Sequence, residues 1–367
     1  MKNDRVVFRV DGAVEMGMGH LTRCLTLAGA LAEVGVTSCF LMRGHAAGLA
    51  ELVERAGHAV QLLPDPDAWT PGTAQDGGLY AHWLPTTWQI DAEQTSQAMD
   101  ELGPVDWLIV DHYALDARWE SACRREGLRI LAIDDLADRA HDCDVLLDQN
   151  LVRQMDTRYR DRLSEACEQL LGPRYALLRP DFLAQRRLLT GRSGKIGRIL
   201  VCYGGSDPTN ETAKAVRALT NLAIPSITVD VVIGMSNPHV ESVARLCSGL
   251  PRAEVHRGAG NVAELMRQAD LSIGAGGVMS WERCCLGLPA VVVDIAANQI
   301  GALTALADRG AALHLGAAAS VTAEALGDAI RGLLDDSSRV RALGKAAFAL
   351  VDGEGRSRVA ACMRIGR

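Results

Sequence analysis

The chain has 367 residues, of which 48% are hydrophobic, 23% charged and only 4% aromatic, and it exceeds the ~250–300 residues at which a single core stops growing. Two domains are therefore predicted, and the composition excludes a disordered chain or an aromatic base-stacking surface. A net charge of −7 argues against a nucleic-acid partner, because duplex binding needs clustered Lys and Arg; a small anionic ligand can still be held by helix ends and backbone amides.

In chain order, strand-like runs alternate with helical ones: Val6–Val10, Ser38–Met42, Trp107–Asp111, Arg129–Asp134, Ile199–Tyr203, Thr228–Ile233, Leu271–Gly274 and Ala290–Asp294. That order predicts parallel sheets covered by helices. Val6–Val10 leads through Gly12, Gly17 and Gly19 into a helix from about His20, and Ile199–Tyr203 leads through Gly204 and Gly205 into one from about Glu211. Two such units predict two doubly wound, Rossmann-like domains whose strand-end loops meet at a cleft. The boundaries are set at 1–172 for the N-terminal domain, 173–197 for a linker, 198–340 for the C-terminal domain and 341–367 for a helical tail. Leu151–Gly197 as a whole reads as charged and helical, ending in a loop. Pro64–Ile90, rich in Pro, Gly and Trp, breaks the alternation and reads as an insert or loop whose role the residues do not reveal. No apolar run reaches the ~18 residues of a membrane span, and no signal-peptide pattern precedes the first strand. The ten cysteines contain no CxxC pair, which points to reduced thiols, a cytoplasmic location and no structural zinc.

Gly17-Met18-Gly19-His20 stands immediately before the amphipathic helix opening Leu21–Ala28. Glycines let the backbone approach a ligand without a β-carbon in the way. His20 at a helix N-terminus, where the dipole favours neutral imidazole, suits a general base near neutrality. The same pattern also reads as a tight turn with a capping His. It is no dinucleotide fingerprint, since Thr22 replaces the third glycine. A second signal is Gly274-Ala275-Gly276-Gly277, whose turn into a helix would nest a diphosphate on successive amides, with Glu282 placed to accept hydrogen bonds from a ribose diol. The alternative is a glycine pair that allows close strand-helix packing and a solvated Glu282. Gly204–Asn210 is a third Gly-rich loop, or only a capped helix start. Asn298-Gln299 reads either as amides reaching phosphate or sugar or as an Asn N-cap. Asp111-His112-Tyr113 and Asp134-Asp135 end strands, where sugar hydroxyls and acetamido groups would be read. Asp65-Pro66-Asp67 has a cation-binding D-x-D spacing, but in a Pro-rich stretch Asp is a common turn residue. His45, His58, His141, His239, His256 and His314 show no metal spacing, and neither metal nor cofactor is expected.

Six ordered blocks, Arg9–Ala28, Val110–Glu120, Ile133–Asn150, Gly172–Phe182, Gly204–Asn210 and Ser272–Gln299, cover roughly residues 5–310. Through them the chain resembles the UDP-2,4-diacetamido-2,4,6-trideoxy-β-L-altropyranose hydrolases of pseudaminic acid biosynthesis, a family similar to the two-domain GT-B glycosyltransferases. The resemblance implies an α/β, GT-B-like fold in which the C-terminal domain holds UDP and the N-terminal domain presents the sugar and a catalytic histidine. It makes His20 the base, Gly276, Gly277 and Ser280 diphosphate contacts, and Glu282 the ribose ligand. Asn298 and Gln299 fall at the junction of phosphate and sugar, Gly205 and Ser206 join the nucleotide set, and Asp11, Gly17, Gly19, His112, Tyr113 and Asp135 take the sugar side. One departure is Val278-Met279, where relatives tend to carry Ser or Thr after the glycine pair. The implied reaction is metal-independent, inverting attack of water at C1 with release of UDP. The implied partner is a small-molecule UDP-sugar, with neither nucleic acid nor membrane. A GT-B transferase using a UDP-amino sugar, a hydrolysing UDP-sugar 2-epimerase and a non-enzymatic UDP-sugar sensor are the competing readings. Oligomeric state, the preferred diacetamido epimer and the downstream nonulosonate are not legible.

Overall fold

In a computed structural model of the protein, the described residues are 4–12, 18–44, 47–65 and 78–363. They form two compact units, one running to Asn150 together with Gln154–Leu177 and the chain from Gly355, the other made of Leu151–Arg153 and Leu178–Glu354. The tail is divided: the helix Ser337–Leu350 stays with the second unit, whereas the helix Gly355–Cys362 returns to the first. Arg356 Nη2 donates there to Glu33 Oε1 at 2.9 Å and the Trp107 indole N–H to Met363 O at 3.1 Å.

The first unit holds seven parallel strands: β1 (Arg5–Val10), β2 (Thr37–Arg43), β3 (Ala59–Leu63), β4 (Trp107–Asp111), β5 (Arg129–Ile133), β6 (Val145–Asp148) and β7 (Glu168–Leu171), in the order β3-β2-β1-β4-β5-β6-β7. Alternate β1 side chains point to opposite faces. Val6, Phe8 and Val10 join Leu21, Leu27 and Leu31 of the helix Gly19–Ala32 in one core, while Val7 joins Met99, Leu108 and Trp119 in the other. Helices on both faces explain why the central strands are apolar runs rather than alternating ones.

The second unit has six parallel strands, β8 (Arg198–Cys202), β9 (Thr228–Ile233), β10 (Ala253–Arg257), β11 (Leu271–Ala275), β12 (Ala290–Asp294) and β13 (Leu313–Ala317), in the order β10-β9-β8-β11-β12-β13. All eight predicted strands are present, within a residue or two at their ends. Leu151–Gly197, predicted as helical, is corrected: it contains β7, the 3-10 turns Met155–Thr157 and Pro173–Tyr175, and one α-helix, Pro180–Arg187. Gly172, at φ +95°, and the two prolines end local runs before a helix can extend through them.

Each sheet has a switch point, between β1 and β4 in the first and between β8 and β11 in the second. Connections from neighbouring strands diverge there and leave a crevice at the carboxyl ends. The helix that carries His20 is the next element after β1 and β4 ends at Asp111, whereas β8 and β11 open into the two Gly-rich turns. Among the described residues no helix is long and apolar enough to cross a membrane.

Candidate functional site

His20 is the second residue of the helix Gly19–Ala32, and the N-cap Met18 makes no side-chain cap bond. The imidazole is thus an inward-facing helical side chain, on one stripe with Cys24, Leu27 and Leu31. Its Nδ1 lies 2.6 Å from Asp111 Oδ1. Arg23, one turn further on, grips the same carboxylate through Nε to Oδ2 and Nη2 to Oδ1, both at 2.6 Å, and donates Nη1 to Asp135 Oδ2 at 2.7 Å. Burial pushes the Asp111 carboxyl up, but Arg23 and then His20 outweigh it and hold the group well below the usual carboxylate range.

An ionised acceptor on Nδ1 selects the Nδ1–H tautomer, which leaves the lone pair on Nε2. Arg23 Nη2 also approaches Nδ1, at 3.2 Å, but a guanidinium offers only donors and cannot accept that proton. Among the described residues Nε2 has no hydrogen-bond partner. The Tyr113 ring stands edge-on to the imidazole at 4.6 Å, and its hydroxyl donates to Asp135 Oδ2 at 2.5 Å. Asn150 Nδ2 donates to the other Asp135 oxygen at 2.6 Å. His20, Tyr113 and Asp135 are therefore brought together around one imidazole.

Asp11 and His112 lie elsewhere, and the direct sugar contact predicted for them does not fit their placement. Both are buried, at 0% and 1% exposure. Asp11 accepts from Arg9 Nη2 at 2.8 Å and from the Arg43 amide at 2.8 Å, with His112 Nε2 3.4 Å away. Asp91 takes Arg9 Nε at 3.0 Å, Arg43 Nε at 3.0 Å and the Trp119 indole at 3.0 Å. Period-two alternation turns Arg9 and Asp11 to one face, where they form an ionic core that ties strand ends to the helix Trp88–Leu102. Gly17 and Asp67 lie outside the described residues. Gly19 has open space where a β-carbon would project and no positive φ to require a glycine. Asp65 accepts the Gly44 amide at 3.1 Å, as a turn residue does.

A second buried network braces the loop that carries Asp135. His141 Nδ1 lies 2.7 Å from Glu120 Oε1 and its Nε2 3.8 Å from Asp134 Oδ2. Burial opposes the charge on this ring, but Glu120 and Asp134 prevail and raise it to about 9. A free histidine titrates near ~6.5, so the folded state gains on protonation. That stabilisation is complete below pH ~6.5 and is lost as pH rises through about 9. It amounts to about 3 kcal/mol. Urea unfolding followed by tryptophan fluorescence at pH 6, 7.5 and 9 is expected to show wild type losing stability across this window relative to His141→Gln; parallel profiles would contradict the assignment.

In the second unit three loops leave neighbouring strands at their carboxyl ends. After β8, Gly205 and Ser206 are at least partly exposed, and Gly205 has open space at its β-carbon position. Asp207 accepts the Glu211 and Thr212 amides at 2.8 and 2.9 Å and so caps the helix Glu211–Leu222; Asn210 makes no side-chain cap bond. After β11, Gly277 adopts φ +82° as the N-cap of the helix Val278–Cys285, a conformation that favours glycine. A β-carbon on Gly276 would come within 3.1 Å of Gln299 Oε1 and Leu303 Cδ1, so this glycine also serves close packing. Ser280 is 3% exposed, and its hydroxyl lies 3.4 Å from Arg283 Nη2.

Glu282 is half-buried, and its carboxylate has no hydrogen-bond partner among the described residues. Burial raises it to about 7 against the pull of Arg179 and Arg283. After β12, Gln299 Oε1 accepts the Ile295 amide at 3.1 Å, while Asn298 is exposed and caps nothing, so the N-cap reading of Asn298 is not what the structure shows. Among the described residues one trio, Asp230, Glu254 and His256, is close enough to share a cation. Asp230 already takes Arg198 at 2.5 and 2.8 Å and His256 at 2.9 Å, so its charge is answered from within the chain.

What sequence reading missed is Arg23, and the part of Asp111, read there as a strand end on the sugar side rather than as the partner of His20. Spacing held a signal for the former: i, i+3 on one helix places Arg23 beside His20.

No protein-family model matches the chain. It is similar to the spore coat polysaccharide biosynthesis protein SpsG of Bacillus subtilis, 34% identical over 194 residues that make up 53% of this chain and 57% of that protein. Uncharacterized protein MJ1062 of Methanocaldococcus jannaschii is 23% identical over 297 residues, 79% of this chain and 55% of that protein. The match thus spans little more than half the length of these two relatives. The UDP-2,4-diacetamido-2,4,6-trideoxy-beta-L-altropyranose hydrolase of Campylobacter jejuni is 23% identical over 307 residues, 83% of this chain and 97% of that enzyme. Among solved structures, Acinetobacter baumannii MurG matches with a TM-score of 0.69 at 16% identity, over 98% of this chain and 99% of that one. The spinosyn rhamnosyltransferase SpnG, complexed with thymidine diphosphate, matches with a TM-score of 0.55 at 17% identity, over 98% and 99%. At this identity the likeness establishes the fold: two Rossmann-like units of the GT-B kind, as predicted. The resemblance drawn from the six motifs is likewise matched by a relative bearing that hydrolase's name.

Proposed function

We propose that the chain binds a UDP-linked 2,4-diacetamido-trideoxy sugar and releases UDP by inverting attack of water at C1. The water oxygen bonds to C1 as the C1–O bond to the β-phosphate breaks. UDP leaves with the bonding pair, and the water proton passes to His20 Nε2. The observation that carries this reading is an imidazole whose Nδ1 is committed to Asp111 while Nε2 lacks a hydrogen-bond partner among the described residues. UDP needs charge stabilisation more than protonation, and the turn at Gly276-Gly277, together with the loop Gly205-Ser206, offers amides for it. Ser280 adds a hydroxyl near the same turn, and Asn298 and Gln299 take the junction of phosphate and sugar. Tyr113 and Asp135 take the sugar, with Gly19 allowing close approach. The similarity to the C. jejuni hydrolase along nearly its whole length supports this substrate class. The deciding experiment offers purified protein a panel of UDP-diacetamido sugars and scores released UDP and the first-formed anomer by early-time NMR. Retention at C1, or no UDP release, would refute the proposal.

Transfer to an acceptor hydroxyl is the second reading, favoured by the rhamnosyltransferase among the structures of like fold. Sugar appearing on an added acceptor rather than on water would establish it. Hydrolysing 2-epimerisation would incorporate deuterium at C2 in buffered D₂O, which simple hydrolysis does not.

Glu282→Ala is expected to weaken UDP binding roughly tenfold to a hundredfold, the worth of hydrogen bonds to a charged acceptor, and to slow turnover less. Because burial sets this carboxyl at about 7, ionisation and hence diol binding improve as pH rises through that value. Titration calorimetry at pH 6 and 8 should find the wild-type advantage over Glu282→Ala larger at pH 8; equal affinities of the two proteins would remove the ribose role.

A further inference from the structure

The segment Pro64–Ile90 has no part in the reaction scheme above, yet its described portion reaches the catalytic imidazole. The 3-10 turn Gly78–Trp83 supplies two rings. Trp83 stacks on Tyr113 with centroids 5.2 Å apart and planes 17° from parallel, and stands at 88° to the His20 ring at 6.0 Å. Tyr80 packs edge-on to both, 4.8 Å from Trp83 and 5.1 Å from Tyr113. Tyr113 is buried, whereas Tyr80 and Trp83 are half-buried and keep part of their surface open. Tyr113 also spends its hydroxyl on Asp135. Away from the Tyr80 hydroxyl and the Trp83 indole N–H, the ring faces beside the base therefore offer C–H-compatible surface without a polar atom.

We propose that Trp83, supported by Tyr80, selects the sugar by its C6 substituent, receiving a C6 methyl and disfavouring a C6 hydroxymethyl. The proposal rests on the reading that His20 serves UDP-sugar cleavage. The acetamido groups each carry an N–H and a carbonyl that need polar partners, and Asp135, Tyr113 and Asn150 provide that chemistry nearby. The methyl of a 6-deoxy sugar is the ring substituent with no polar atom, so it is the one matched to an aromatic wall. A hydroxyl set against the same wall loses its water without gaining a partner. Apolar pockets reject an added hydroxyl by at most roughly a hundredfold, which bounds the effect.

The test measures kcat/KM of wild type, Trp83→Ala, Trp83→Phe and Tyr80→Leu on two UDP-2,4-diacetamido sugars that differ only at C6, one methyl and one hydroxymethyl. Wild type is expected to prefer the 6-deoxy sugar by roughly tenfold to a hundredfold. Trp83→Ala should bring the two within about threefold, chiefly by losing activity on the 6-deoxy sugar, and Trp83→Phe should restore most of the preference. Should Trp83→Ala fail to fold, Tyr80→Leu carries the test with a smaller fall in the ratio. Unchanged UDP product inhibition shows that the nucleotide loops are intact. A ratio that stays at the wild-type value in Trp83→Ala, or in Tyr80→Leu where that variant stands in, overturns the proposal even if both rates fall. Wild type that releases UDP from neither sugar overturns the functional reading instead.

Discussion

Replacing His20 by Asn is expected to lower kcat at least a hundredfold while leaving UDP affinity and the melting temperature near wild type. The asparagine amide can still donate to Asp111, so the buried carboxylate keeps a partner and the helix opening keeps its packing. What disappears is the Nε2 lone pair proposed to accept the water proton. General-base catalysis by a positioned side chain contributes roughly 10²–10⁴ in rate, which sets the size of the loss. UDP contacts are assigned to loops of the other unit, so calorimetric UDP binding should not change. Initial rates of UDP release and calorimetry on the same preparation decide the matter. Full turnover in the variant removes His20 from the mechanism, and lost UDP binding would mean the substitution disturbed more than a proton acceptor.

The fold was readable because its central strands carry their own signal. Val6–Val10, Trp107–Asp111 and Leu271–Gly274 are buried on both faces and so appear as apolar runs between Gly-rich turns. The strands that escaped notice are β3, β7, β10 and β13, which are short or mixed in polarity and lie at sheet edges, together with the four-residue β6. In the site, His20 stood out because glycines and a helix start flank it, but its partner did not. Asp111 is 91 residues away in sequence, and only the strand order that sets β4 beside β1 brings the two together. The same long-range logic hid the fate of Asp11 and His112. Local position suggested the crevice, whereas the pairing of Asp11 with Arg9, a charged residue inside a strand, and of His112 with Asp11 drew them into the protein. Trp83 was illegible for another reason, since no local periodicity tells where an irregular segment lays its rings.

Asp111→Asn should cost nearly as much activity as removing the imidazole, and for a different reason. Both carboxylate oxygens accept from the Arg23 fork at 2.6 Å, and Oδ1 also faces His20 Nδ1 at 2.6 Å. An amide must put its NH₂ on one side or the other. Turned toward Oδ1, it donates to Nδ1, moves the ring proton to Nε2 and abolishes the base; turned toward Oδ2, it sets a donor against Arg23 Nε. Either choice also leaves the guanidinium with Asp135 as its remaining anion. In a serine protease the equivalent substitution, which leaves the wrong tautomer, lowers kcat by about 10⁴, and a fall of roughly 10²–10⁴ is expected here. Breaking one side of a buried ion pair also destabilises, by about 3–5 kcal/mol, so the first unit should melt earlier while UDP binding is retained below that melting point. The informative measurement is the double variant. If Asp111 acts through the tautomer of His20, then His20→Asn with Asp111→Asn is no slower than His20→Asn alone, because the same lone pair cannot be lost twice. Multiplying losses would show that the carboxylate serves the reaction by a route other than the imidazole.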